Sequence, residues 1–207
     1  MSKMDTILIP INHPSAMSSA LLVIKHGGLI AFPTDTVYGL GASVRNGQAI
    51  EGIYLAKNRP LEKSIPILIG DIDDLAKVSG EVPEIALKLA ERFWPGPLTL
   101  VIPKRPDLPN QVSSTPTVGV RMPDYPLVRK LLHLSGPMAV TSANLSGQAS
   151  PSTADEVWDQ LSGRIALILD GGKTPGGVPS TVVDCLGAEL KVLREGPITK
   201  DELLAVY

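Results

Sequence analysis

Apolar residues along the chain come in short runs bounded by glycine, proline, serine and asparagine, and between these runs lie stretches with apolar residues three and four apart. Short bounded runs read as strands, and the three-and-four spacing reads as amphipathic helix. Strands are therefore predicted over 6–11, 29–32, 64–70, 98–103, 117–122, 138–141, 165–169, 181–184 and 190–194. Helices are predicted over 15–25, 48–57, 71–78, 83–93 and 126–134, from Ser152 through Leu161, and after Thr199. Local signals punctuate them. Asn46 is placed to cap the second helix, Ser152-Thr153-Ala-Asp155-Glu156 and Thr199-x-x-Glu202 have capping-box spacing, and Gly27-Gly28 stop the first helix. Strands alternating with helices predict an α/β fold, with a mixed sheet permitted.

Ile30 to Gly41 fits this scheme least well. Its strand should end at Pro33, which cannot donate to a ladder, and Thr34, Asp35 and Thr36 follow. Gly39 and Gly41 then permit close approaches or unusual backbone, and strand ends of this kind are where open α/β sheets hold ligands. Asp35 has three readings, a Mg²⁺ ligand, a partner for a substrate amine, or a turn former, and the turn is preferred. Further on, Lys57, Arg59 and Lys63 cluster around a helix C-terminus. Lys57 continues the face of Ile50, Ile53 and Tyr54 and so points towards the protein. Ordinary helix-end cations and a polyphosphate clamp both account for the cluster. Arg121 shares a strand face with Thr117 and Gly119, which leave room beside it, so an anion is its expected partner. Ser142 to Gly147 forms a second small polar turn after an apolar strand. Residues 105–116, rich in proline, asparagine and serine, read as an exposed loop able to move over a site.

Composition narrows the classes. The 207 residues, 43% hydrophobic, are sufficient for one core, and a single domain over 1–207 is expected. One cysteine and three histidines leave little for a structural metal site, and no metal-ligating residues are assigned. No apolar run approaches the roughly 20 residues of a membrane span, and no secretory leader is recognisable, so a cytoplasmic protein without membrane contact is expected. A net charge of −2 and 4% aromatic residues disfavour a nucleic-acid stacking platform. Gly172-Lys173-Thr174 imitates the end of a phosphate-binding P-loop, but Leu167 stands where that loop needs glycine and Pro175-Gly176-Gly177 preclude the helix. Basic side chains interleaved with hydroxyl-bearing strand ends point to a phosphorylated small molecule.

Seven blocks in order, Phe32-Pro-Thr-Asp-Thr-Val-Tyr-Gly-Leu-Gly41, Lys57-Asn-Arg-Pro60 with Lys63, Trp94-Pro-Gly-Pro-Leu-Thr99, Val120-Arg-Met-Pro123, Thr141-Ser-Ala-Asn-Leu-Ser-Gly147, Pro179-Ser-Thr-Val-Val-Asp184 and Leu193-Arg-Glu-Gly196, resemble the YrdC/Sua5 family of threonylcarbamoyl-AMP synthases. The resemblance implies a twisted mixed β-sheet flanked by helices around a large basic cavity. It also implies a nucleotidyltransferase that makes L-threonylcarbamoyladenylate and pyrophosphate from L-threonine, bicarbonate or CO₂, and ATP with Mg²⁺. The product would pass to the tRNA threonylcarbamoyl-transfer machinery, for adenosine 37 of tRNAs reading ANN codons, with weak direct tRNA binding left open. By position, Thr36, Arg121, Ser180 and the backbone at Val140 would hold threonine. Arg59, Lys63, Thr117, Ser142, Asn144, Ser150 and Arg194 would hold ATP, and Lys57, Arg59 and Lys63 would stabilise the reacting charges. Leu68 stands where some members carry a histidine, and the chain resembles the short, single-domain form. Two other readings stay open: an RNA-binding or ribosome-maturation module, and a relative acting on another carbamate or carbamoyl donor.

Overall fold

The computed structural model describes residues 5–187 and 189–206. In chain order the elements are Ile7–Pro10 (β1), Ala16–Lys25 (α1), Ile30–Phe32 (β2), Gly39–Ser43 (β3), Gly47–Lys57 (α2), Ile67–Leu68 (β4), a single 3-10 turn at Ile72–Asp74, Leu75–Val78 (α3) and Glu84–Phe93 (α4). They continue with Leu98–Pro103 (β5), Thr117–Arg121 (β6), Pro126–Ser135 (α5), Met138–Ser142 (β7), Ala154–Leu161 (α6), Leu167–Asp170 (β8), Thr181–Asp184 (β9), Lys191–Arg194 (β10) and Lys200–Leu204 (α7). The predicted caps form. Asn46 Oδ1 accepts from Ala49 N at 3.0 Å, and Thr199 and Glu202 make a reciprocal capping box.

The strands form one sheet in the order β1-β8-β2-β3-β7-β4-β6-β5-β9-β10. Pairing is mixed: β8 runs parallel to both β1 and β2, while β3 is antiparallel to β2 and β7. Both faces of its middle are buried, and side chains alternate between two cores with period two. Ile30, Phe32, Met138, Val140, Leu167 and Leu169 pack with α1 and α5, whereas Ala31, Ala139 and Ile168 join the core under α2, α4 and α6. α5 docks through Val128, Leu131 and Leu132, each contributing about 1.5–3 kcal/mol by burial.

On the α1/α5 side, β5 and β6 contribute no buried apolar residue to that core; they present Thr99, Gly119 and Arg121 there instead, opposite the core-facing Leu98, Leu100, Val118 and Val120. Beside the half-buried Val101, this stretch of the sheet face carries small or polar groups in place of the α1/α5 core. The site lies there.

Of the two possibilities for Gly39 and Gly41, close approach is the one that holds: they lie in β3, an interior strand, and a Cβ on Gly39 would stand 2.8 Å from Val140 Cγ1. What the sheet needs here is space. Gly39→Ala should therefore destabilise the protein by about 1–3 kcal/mol, with urea unfolding as the measure and an unchanged midpoint as the contrary result. Residues 105–116 differ from the exposed loop expected. Leu108, Val112 and Ser113 are buried, and Val112 O accepts from Ile65 N at 2.8 Å. The strand predicted over 64–70 shortens to Ile67–Leu68 because Pro66 precedes it, and it sits inside the sheet between β7 and β6.

Candidate active site

A cavity of about 300 Å³ lies over this stretch of the sheet face and reaches Leu68 and Val140 at the border of the α1/α5 core. Thr34 and Thr36 reach it from the segment after β2, Arg59 from the segment after α2, Leu68 from β4, Thr99 from β5 and Arg121 from β6. Val140 and Ser142 come from β7, and Ser150, Ser180 and Arg194 complete the wall. Among the described residues, three arginines and no carboxylate line it. Its volume is at the lower end of the range for small-molecule sites.

Arg121 is the most constrained of these groups, with 6% exposure. Its Nε donates to Gly96 O at 3.0 Å and its Nη1 to Thr36 Oγ1 at 3.0 Å, while Nη2 forms an ion pair with Asp35 Oδ1. Burial lowers the guanidinium pKa and Asp35 opposes that shift, so charge is retained by pairing. The anion expected beside Arg121 is therefore supplied by the protein itself, as Asp35. The preferred reading of Asp35 as a turn former is corrected accordingly. The Trp94-Pro-Gly-Pro turn has a defined part too: Trp94 Nε1 donates to Leu98 O at 2.7 Å, and the turn presents Gly96 O to Arg121.

The hydroxyls are ordered by their neighbours. Thr34 Oγ1 donates to Val37 O at 2.7 Å, so in its 3.0 Å contact with Thr36 Oγ1 it accepts. Thr36 thus spends its proton on Thr34 and accepts from Arg121, leaving one lone pair for an N–H or O–H donor in the cavity. Ser180 Oγ meets Thr99 Oγ1 at 2.8 Å, and Arg194 Nη2 donates to Ser180 O at 2.7 Å and to Ser180 Oγ at 3.1 Å. Thr99 was not among the residues expected to bind ligand. Its place opposite Leu98 and Leu100 on a predicted strand is the signal that could have marked it. Tyr38 anchors the adjoining loop by donating to Gly172 O at 2.8 Å, and burial pushes its phenol up to about 12.

Of the expected site residues, Thr36, Arg59, Arg121, Val140, Ser142, Ser150, Ser180 and Arg194 meet on this wall, whereas Lys57, Lys63, Thr117 and Asn144 lie outside it. Each of the four has its own place in the fold. Lys57 is 1% exposed, and its ammonium donates to Ser142 O and Asn144 O, while its own carbonyl accepts from Ser146 N at 2.8 Å. Lys57 therefore binds the end of α2 to the turn after β7, which fixes Arg59 and Ser142 relative to one another. Lys63 is exposed and contributes its carbonyl to Arg59 Nε at 3.1 Å. Asn144 Nδ2 is occupied by Leu145 O and Gln148 O at 2.8 and 2.9 Å, and Thr117 Oγ1 contacts Thr115 Oγ1 at 3.0 Å.

Burial, and then the Arg59 charge, pull the Lys57 ammonium down to about 7 from 10.5. The folded-state pKa lies below the unfolded one, so the penalty for burying the charge is fully present below about pH 7 and fades as pH rises towards 10.5. Relative to a Lys57→Met variant, the wild-type protein should gain stability over that interval, by at most about 5 kcal/mol. Urea unfolding across the interval measures the gain, and parallel pH profiles for the two proteins would contradict it.

Fold and wall define a mixed α/β protein with an arginine-lined cavity. The Sua5/YciO/YrdC family model, which carries the description "Telomere recombination", matches residues 22–196, and the chain belongs to this family. It is 46% identical over 198 residues to the threonylcarbamoyl-AMP synthase of Bacillus subtilis, an alignment covering 94% of this chain and 57% of that protein. With a putative threonylcarbamoyl-AMP synthase of Mycobacterium tuberculosis it shares 38% identity over 189 residues, covering 91% of this chain and 87% of that one. The crystal structure of Pyrococcus abyssi Sua5 complexed with L-threonine superposes with a TM-score of 0.91 at 40% identity, covering 98% of this chain and 60% of that one. The chain thus spans little more than half the length of the Bacillus and Pyrococcus proteins. Among the described residues, no helix is long and apolar enough to cross a membrane.

Proposed function

We propose that this chain is an L-threonylcarbamoyladenylate synthase, a nucleotidyltransferase that joins L-threonine, CO₂ or bicarbonate, and ATP and releases pyrophosphate. The observation that carries the proposal is the meeting of residues expected for threonine (Thr36, Arg121, Val140, Ser180) with residues expected for ATP (Arg59, Ser142, Ser150, Arg194) on one cavity wall. The names of the relatives and the threonine-bound Pyrococcus structure support the same reading.

The chemistry asks for what the wall offers. Threonine's ammonium loses a proton, the amine nitrogen adds to CO₂, and a second proton leaves to give the carbamate. A carbamate oxygen then attacks the α-phosphorus, and the bond to the bridging oxygen of pyrophosphate breaks. Both partners are anions, so positioning and charge neutralisation are the main contributions available to the protein. The two free N–H groups of Arg121 suit the threonine carboxylate, and the spare lone pair of Thr36 suits its amine. Arg59 and Arg194 suit phosphate oxygens, and Mg²⁺ enters with the triphosphate as part of that substrate. The product would go to the enzyme that transfers threonylcarbamoyl to adenosine 37 of tRNA, a step that requires no lasting contact between tRNA and this wall. Calorimetric titration tests the amino-acid half of the proposal: L-threonine should bind with a stoichiometry near one, and absence of binding with and without MgATP would overturn it.

A further inference from the structure

The three wall arginines are not alike. Arg59 donates only to the carbonyls of Lys63 and Ser64, and Arg194 only to Ser180, so both keep their full positive charge towards the cavity. Among the described residues, Arg121 alone of the three is matched by a carboxylate, that of Asp35. Asp35 is not among the residues that line the wall; its backbone runs beside Gly176, where a Cβ would stand 2.6 Å from the Asp35 carbonyl oxygen, and Gly177 N donates to Thr36 O at 2.8 Å. Its second oxygen, Oδ2, is buried with no hydrogen-bond partner among the described residues. A carboxylate kept only to shape a turn would be expected to cap local N–H groups, and this one spends its single strong contact on Arg121.

We propose that Asp35 is a specificity-determining positioning residue that neutralises Arg121, so that this part of the cavity accepts the zwitterion of an α-amino acid and leaves polyphosphate to Arg59 and Arg194. The proposal rests on the substrate reading above. A guanidinium has five N–H groups; three are committed to Gly96, Thr36 and Asp35, and two remain for one carboxylate. With its charge balanced, the Arg121–Asp35 pair attracts a multiply charged phosphate weakly, whereas Arg59 and Arg194, without a counter-ion, attract it strongly. Threonine brings a carboxylate and an ammonium and loses little by entering a neutral site. An amino acid and a nucleotide can then share one small cavity without either occupying the other's place, a division that works by penalising the wrong ligand.

Asp35→Asn retains the size and an acceptor for Arg121 and removes the charge; Asp35→Glu keeps the charge. Two quantities report the proposal. The first is the preference for L-threonine over 3-hydroxybutanoate, which lacks the ammonium. The second is competition by inorganic pyrophosphate against threonine. In the wild-type protein pyrophosphate should compete with ATP and not with threonine, and threonine should be the preferred acid. Asp35→Asn should reduce that preference about tenfold and turn pyrophosphate into a competitor of threonine, while Asp35→Glu retains the wild-type pattern. A folded Asp35→Asn protein with unchanged preference and competition overturns the proposal. If Asp35→Asn does not fold, the wild-type pattern decides: competition between pyrophosphate and threonine there overturns it too. A wild-type protein that binds pyrophosphate and ATP but no threonine would sink the substrate reading and this inference together, whereas threonine binding without the charge dependence sinks this inference alone.

Discussion

Arg59→Ala should lower threonine-dependent pyrophosphate release by a factor of about a hundred to a thousand, while the unfolding midpoint stays close to that of the wild-type protein. The factor is that of removing one preorganised charge donor from a site where negative charge develops, about 3–4 kcal/mol in the barrier. Stability should change little because Arg59 is only part-buried and its two contacts are to carbonyls of the neighbouring Lys63 and Ser64, which water can serve in its absence. Steady-state kinetics beside thermal unfolding separates the two effects. An Arg59→Ala protein that loses activity only because it unfolds would assign Arg59 a structural role.

Arg121→Leu should act on both stability and binding. It removes the partner of a buried carboxylate, whose side chain is 12% exposed, and leaving such a charge unpaired costs about 3–5 kcal/mol. Threonine binding should be lost with the guanidinium. The double variant Arg121→Leu, Asp35→Leu removes both charges and should regain most of the stability without regaining threonine binding. Urea unfolding and calorimetry of the three proteins test this. A double variant as unstable as Arg121→Leu would mean that the pair is not coupled.

Much of the fold was legible because the signals are local. β5 over 98–103 and β9 over 181–184 have the predicted bounds, and the caps at Asn46 and Thr199 form between residues three apart. β3 was missed because Gly39-Leu-Gly-Ala-Ser43 lacks the β-branched residues that mark strands. Its glycines answer to Val140, a hundred residues away, and no local pattern carries that requirement. The site divides along the same line. Arg121 was recognisable from its place on a strand face, but its partnership with Asp35 spans 86 residues and reversed the reading of that aspartate. Lys57 was correctly read as pointing inward; that the turn after β7 would engage its ammonium depends on how α2 packs against the sheet, which spacing alone does not encode.

The proposed reaction, in which one arginine-lined cavity joins an amino-acid carbamate to the α-phosphorus of ATP, is tested by pyrophosphate release from the purified chain with MgATP, with L-threonine and bicarbonate each omitted in turn. Release should need both, with threonylcarbamoyl-AMP formed in equal amount and detectable by mass spectrometry. Pyrophosphate release that continues without threonine, or ATP turnover that yields only ADP and phosphate, would contradict it.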